Sequence, residues 1–199
     1  MTTHLFIGAG PANLDRALKI RKKDPDAKFI FMDRRITTEG QIDRARSRAN
    51  IFRFPLSDRD NIVRNASAPE SFGRKFDEVS TEREFSEQDG FQQGDIQVFG
   101  DERFTQIQIR DLQQLYLDEL KGNNTAFIDM HFDPEQLHKI TEESDLIHHL
   151  VQSLQAELQQ LAGQEDTEEY RRAKQRLDSV VEKLTGQTDF VFHVASGAL

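Results

Sequence analysis

Apolar residues in this chain come as short runs near its two ends and at helical spacing between them. Leu5-Phe6-Ile7 and the run at 28–33 have the length of single strands, and residues 13–23 between them have helical character. Strand, glycine turn, helix, Asp-Pro-Asp turn and strand follow one another within about 30 residues, the length of a βαβ unit. Residues 34–107 hold many arginines, few apolar clusters and scattered glycines (Gly73, Gly90, Gly94, Gly100). That composition predicts irregular structure with short strands near 96–99 and 105–109. Leu112, Leu115, Tyr116 and Glu119 predict a helix over 110–120, stopped by Gly122-Asn123-Asn124, and 125–132 reads as another strand.

From about 142 to 185 the pattern changes. Ile147, Val151, Leu154, Leu158 and Leu161 step by 4, 3, 4, 3, and Tyr170, Ala173, Leu177, Val180 and Leu184 by 3, 4, 3, 4. Both are seams of the coiled-coil kind, with Glu, Gln, Lys and Arg on the other faces. Asp166 with Glu169 offers a capping box for the second arm. The spacing predicts two antiparallel helices of about 20 residues, solvated on their outer faces and projecting about 30 Å at 1.5 Å per residue. Gly186-Gln187 ends the pair, and 189–195 returns as a buried strand.

The turn between the first strand and the first helix carries the chemistry. In Gly8-Ala9-Gly10-Pro11-Ala12-Asn13, Gly8 permits a sharp bend and Gly10 lets a pyrophosphate approach the backbone. The helix starting near Pro11 aims its unpaired N–H groups and positive end at that position, and a first-turn proline forfeits no hydrogen bond. Asn13 replaces the third glycine of the usual fingerprint. Asp33 follows it by 20 positions, where a carboxylate accepts hydrogen bonds from an adenosine ribose. The fold class expected is α/β, a Rossmann-like parallel sheet with an inserted antiparallel helical hairpin. The division expected is 1–141 for the dinucleotide-binding α/β part, 142–186 for the hairpin and 187–199 for the returning strand.

Gly-Ala-Gly-Pro-Ala resembles the turn of FAD-binding oxidoreductases of the glutathione-reductase-like superfamily, and Gly-Pro-Ala-Asn-Leu that of the siderophore-type amine N-hydroxylases. Three further segments resemble flavin monooxygenases of the aromatic-hydroxylase type, most of all the monooxygenase head of the MICAL proteins. They are Asp33-Arg34-Arg35, Ser47-Arg48-Ala49-Asn50-Ile51 and Ile107-Gln108-Ile109-Arg110-Asp111-Leu112-Gln113. Order and approximate spacing agree over 4–132. The resemblance implies FAD as cofactor, held by Gly8, Gly10, Pro11, Ala12, Asn13, Asp33, Arg35, Arg48, Asn50 and Arg110. It implies that Arg35 and Arg48 neutralise pyrophosphate charge, for which the guanidinium fork is suited. Three departures stand out. Ala195-Ser196-Gly197 lacks the acid of the family's Ala-Asp-Gly, the later Gly-Asp segment is absent, and the helical hairpin sits where the superfamily usually places a small β-meander. A fragment of a larger flavoprotein or a pared-down relative both fit, and the end just after a glycine turn favours the fragment.

Composition narrows the function classes. The 199 residues are 36% hydrophobic and 31% charged, with a mean hydropathy of −0.68, so part of the chain should be a solvated helical arm. A net charge of −9 argues against a nucleic-acid surface. No apolar run approaches the roughly 20 residues of a membrane span, and the N-terminus enters a strand directly, so no secretory signal is expected and the location read is cytoplasmic. Cysteine is absent, which removes thiol chemistry and thiolate metal sites. The six histidines form no metal-binding pattern, so surface or capping roles are expected and no metal. Two function classes remain. One is a flavin-dependent oxidoreductase, monooxygenase-like, with no catalytic acid or base to nominate. The other is a non-catalytic nucleotide-binding or scaffold protein that meets a protein partner, or itself, through the hairpin at 142–186.

Overall fold

The computed structural model describes residues 2–47, 49–86, 103–122, 124–130, 143–184 and 190–194. The order of elements is β1 (Thr3–Ile7), α1 (Pro11–Lys23), β2 (Lys28–Met32), β3 (Ile51–Pro55), α2 (Asp58–Val63), α3 (Pro69–Val79), β4 (Ser80–Glu84), β5 (Arg103–Gln108), α4 (Ile109–Leu120), β6 (Thr125–Ile128), α5 (Glu143–Gln160), α6 (Glu168–Leu184) and β7 (Phe190–Val194). β1, β2, β6 and β7, which fall on the runs expected as strands at 4–7, 28–33, 125–132 and 189–195, form one parallel sheet in the order β6-β2-β1-β7. Between β2 and β6 lies a second, antiparallel sheet, β3-β5-β4.

β1, β2 and β6 are covered on both faces, which is why they read as unbroken apolar runs. Side chains alternate across the sheet with period two. Phe6, Phe29, Phe31 and Phe127 enter a core with Leu14, Ala17 and Leu18 of α1 and Leu112, Leu115 and Tyr116 of α4. Leu5, Ile7, Ile30, Met32, Ile128 and Phe190 enter a second core on the opposite face, with Leu150 and Leu154 of α5 and Val180 and Leu184 of α6. In the first core, one row of rings crosses all four strands. His193 stacks on Phe6 at 4.3 Å, Phe6 on Phe31 at 4.6 Å and Phe31 on Phe127 at 5.9 Å between centroids.

α1 opens at Pro11 behind Gly10 and closes at Asp24, with Arg21, Lys22 and Lys23 in its last turn favouring the negative end of the helix dipole. Gly122, at φ 110°, and Asn124, at φ 68°, turn the chain between α4 and β6. Residues 34–107, expected to be irregular apart from short strands, contain five regular elements among their described residues. β3 escapes a period-two reading because Ile51, Phe52 and Arg53 are all exposed and only Phe54 is buried. α3 is anchored by Phe72 and Phe76, one turn apart, and tied to α2 by a two-armed Arg59–Asp77 pair with both bonds at 2.7 Å. The expected strand at 96–99 lies outside the described residues.

α5 and α6 pack on each other, but not as a freestanding arm. Their ends nearest the sheet are buried in its second core, and Leu150, outside the expected seam, is 1% exposed. The far parts, at Leu158, Leu161 and Tyr170, are only half-buried. The sheet's second face is apolar and must be covered, and this pair of helices covers it. The cap of α6 also differs from expectation. The helix begins at Glu168, so Thr167 takes the capping place and its Oγ1 accepts the Tyr170 N–H at 3.2 Å, not Asp166.

Leu154 is 3% exposed in the second core. Leu154→Ala should cost about 2–5 kcal/mol, measured by chemical denaturation; an unchanged unfolding midpoint would show that the helices do not lean on the sheet there.

The row of rings also carries a pH dependence. His4 Nδ1 and His193 Nε2 lie 2.9 Å apart across β1 and β7, so this contact needs one of the two nitrogens without a proton. Desolvation, then the charges of His4 and Arg16, lowers His193 to about 4. Desolvation also lowers His4, against the pull of Asp24. Both folded values lie below the ordinary 6.5, so between those limits the unfolded chain binds more protons. The stabilisation from the pair is therefore complete above about 6.5 and is lost as pH falls towards about 4. The difference in stability between wild type and His193→Phe should shift in favour of His193→Phe across that interval. A difference that stays constant with pH would remove the histidine pair as its source.

Candidate functional site

Every polar contact at the glycine turn follows from the level at which β1 and β2 end. Gly8 sits at φ 89°, a conformation that favours glycine, and its N–H donates to the Met32 carbonyl at 2.8 Å. The chain then bends so that the Ala9 N–H donates to Asp33 Oδ2 at 2.9 Å. The Ala9 carbonyl accepts from Gln113 Nε2 of α4 at 2.8 Å. Gly10 caps α1 in an extended conformation, with φ −69° and no side-chain cap, and a Cβ built on it would meet nothing within 4 Å. Open space therefore lies over the start of the helix.

Asn13 explains how the turn tolerates losing its third glycine. Its side chain is fully buried, and Nδ2 donates to the carbonyls of Ile7 at 3.1 Å and Gly8 at 2.9 Å. The two carbonyl acceptors fix which end of the amide is nitrogen. Close approach of helix and strand is achieved here by bonding, not by the absence of a side chain. Asn13 Oδ1 is buried and has no hydrogen-bond partner among the described residues.

Asp33 is at the expected place but is not open to a ligand. It is 4% exposed, and Arg35 holds both its oxygens, with Nε on Oδ1 at 2.9 Å and Nη2 on Oδ2 at 2.8 Å. The Arg35 N–H adds a further bond to Oδ1 at 2.8 Å. Burial alone would push the carboxyl up, but the hydrogen bonds from Arg35 and Ala9 outweigh it and hold Asp33 below the ordinary carboxylate range. The side-chain bonds to Asp33, against desolvation, raise Arg35. Arg35 thus faces Asp33, not an open phosphate position.

Of the remaining candidates, Pro11 and Ala12 form the rim of the turn, Pro11 half-buried and Ala12 exposed. Asn50 is exposed, and its carbonyl accepts the Ile109 N–H at 2.8 Å, which seats it beside the first residue of α4. Arg110 is half-buried and donates through Nε to Gln108 Oε1 at 2.9 Å. It lies three positions before Gln113, on the same side of α4. Gly8, Gly10, Asn13, Asp33 and Arg35 thus come together directly, while among the described residues Asn50 and Arg110 are linked to them through α4. Arg48 lies outside the described residues, as does Ala195-Ser196-Gly197.

Gln113 is a site residue that motif reading passed over. Its signal was a polar side chain among the apolar positions Leu112, Leu115 and Tyr116, and it is 5% exposed. His4 and His193 were expected at the surface or at caps, and they stand instead half-buried in the sheet, because β7 brings them side by side. Among the described residues, no group of three or more His, Asp or Glu side chains could hold a metal ion, and no helix is long and apolar enough to cross a membrane.

Asn13→Ala would remove two buried hydrogen bonds to main-chain carbonyls and should cost about 1–3 kcal/mol, read as a lower denaturation midpoint with the fold intact by circular dichroism. Wild-type stability in that variant would show that the two bonds do not hold the turn.

No family model matches the sequence, and no curated protein matches it.

Proposed function

We propose that this chain binds FAD across the glycine turn and belongs to a flavin-dependent oxidoreductase of the monooxygenase kind. The strand order supports a Rossmann-like reading. With β6 as the third strand of the parallel sheet and β7 as the fourth, the order is 3-2-1-4, and ligands of such sheets lie beyond the strand carboxyl ends where the order reverses. The helix pair α5–α6 is then an insertion in the connection from β6 to β7. The observation that carries the reading is the meeting of the Ala9 N–H and the Asp33 carboxylate at 2.9 Å beneath the open space over Gly10.

The residues present fit the diphosphate part of FAD. Gly10 leaves room for phosphate, and α1 offers its positive end without a side-chain cap. FAD supplies redox chemistry when bound, and this part of the protein supplies orientation and charge compensation. Asn50 and Arg110, beside the start of α4, extend the proposed contacts, and a cytoplasmic location accords with this reading.

A second reading is a non-catalytic protein that meets a partner, or a second copy, through the helix pair. The half-buried Leu158, Leu161 and Tyr170 favour it.

The two readings separate on titration with FAD. Bound flavin should give absorbance bands near roughly 375 and 450 nm that stay with the protein through gel filtration. Gly10→Ala is the sharper test, because the added methyl meets nothing in the unliganded protein. Its melting temperature should stay near that of wild type, while FAD binding should weaken by about tenfold or more. Equal FAD affinity in the two proteins would remove the glycine turn as the phosphate site.

A further inference from the structure

We propose that Arg35 makes ribose binding at Asp33 conditional on phosphate, so that the crevice accepts adenosine diphosphates and refuses unphosphorylated nucleosides, an inference that rests on the nucleotide reading above. Asp33 Oδ1 accepts from the N–H and Nε of Arg35, and Oδ2 from the Ala9 N–H and Arg35 Nη2, all at 2.8 or 2.9 Å. An ionised carboxylate offers about four lone-pair sites, so a ribose hydroxyl finds none vacant. The Asp33 side chain is 4% exposed and that of Arg35 is 31% exposed, so an arriving ligand meets the guanidinium first.

A neutral nucleoside must then break a two-armed, charge-assisted pair and return only hydroxyl hydrogen bonds. That exchange is unfavourable, because it leaves the guanidinium without its anion. A nucleoside diphosphate changes the balance. Asp33 Oδ2 is shared between the Ala9 N–H and Arg35 Nη2, so the guanidinium lies one oxygen away from the glycine turn. A short swing carries it to a phosphate seated over Gly10 while the ribose hydroxyls take its place on the carboxylate. The guanidinium exchanges one anion for another, while Asp33 keeps the N–H bonds of Ala9 and Arg35 and gains those of the hydroxyls; the two-armed geometry suits phosphate as well as it suits Asp33. Arg46 is no substitute, because its guanidinium is tied to Asp43 at 3.2 Å, Asp129 at 2.8 Å and the Arg34 carbonyl at 2.7 Å.

The test is calorimetric titration of wild type, Arg35→Gln and Arg35→Lys with adenosine, 5′-ADP, adenosine 2′,5′-bisphosphate and FAD. The expected signature is opposite signs for the first two ligands. Arg35→Gln should tighten adenosine by about tenfold, since no pair is left to break, and weaken 5′-ADP by about tenfold, since no guanidinium is left to move. Arg35→Lys keeps the charge without the fork, so it should tighten adenosine and retain 5′-ADP binding; it decides the matter if Arg35→Gln fails to fold. Adenosine binding that is unchanged or weaker in the folded variants would overturn the proposal. So would a wild type that prefers the 2′,5′-bisphosphate, since Arg35 would then read phosphate without leaving Asp33. If wild type binds neither 5′-ADP nor FAD, the nucleotide reading fails too. If it binds them with no inversion at Arg35, only the present inference fails.

Discussion

The register of the parallel sheet governs everything built at its carboxyl edge. Parallel strands have no hairpin turn to set their alignment, and a slip of one residue exchanges the two buried faces. Here one row, His193-Phe6-Phe31-Phe127, runs through the paired positions of all four strands. With that row aligned, Ile7, Met32 and Ile128 end at one level. The Gly8 N–H then meets the Met32 carbonyl, and the Asp33 N–H meets the Ile128 carbonyl at 3.1 Å. The turn and the acid stand together because the rings below them do.

That alignment leaves a short segment pinned from several directions. Ala9 is held through its N–H by Asp33 and through its carbonyl by Gln113, while Asn13 grips the two carbonyls before it. Little conformational freedom remains to be lost when something binds there, which is the physical content of preorganisation. The acid is arranged in the opposite sense. Its carboxylate is satisfied within the protein, so the rigid element and the exchangeable element are neighbours.

Much of the fold was legible because β1, β2 and β6 are buried on both faces and the helices around them have clear seams. Leu5-Phe6-Ile7 and 28–33 could hardly be anything but strands once a glycine turn stood between them. Residues 51–84 were opaque for the opposite reason, since β3 and β4 expose most of their side chains and show no alternation. The α5–α6 seams were visible as periodicity, but periodicity says which face is buried and not against what. Leu154 was expected to meet its partner helix, and its core also contains Leu5 and Ile30. At the site, Gly8, Gly10 and Asp33 could be placed by spacing. The engagement of Asp33 by Arg35 could not, because a carboxylate two residues from an arginine says nothing about which way either turns. Gln113 stood within the segment 107–113, but its place in the sequence did not show that its amide reaches Ala9.

β5 passes into α4 with no intervening loop, Gln108 being the last residue of the strand and Ile109 the first of the helix. β5 is also the central strand of the small antiparallel sheet, and Gln113, one turn into α4, bonds to Ala9. Strand and helix therefore act as a stiff rod with one end woven into that sheet and the other fastened to the glycine turn. The exposed Ile51 and Phe52 of β3 are thus joined to Ala9 through strand pairing, one continuous strand-to-helix passage and one side-chain bond.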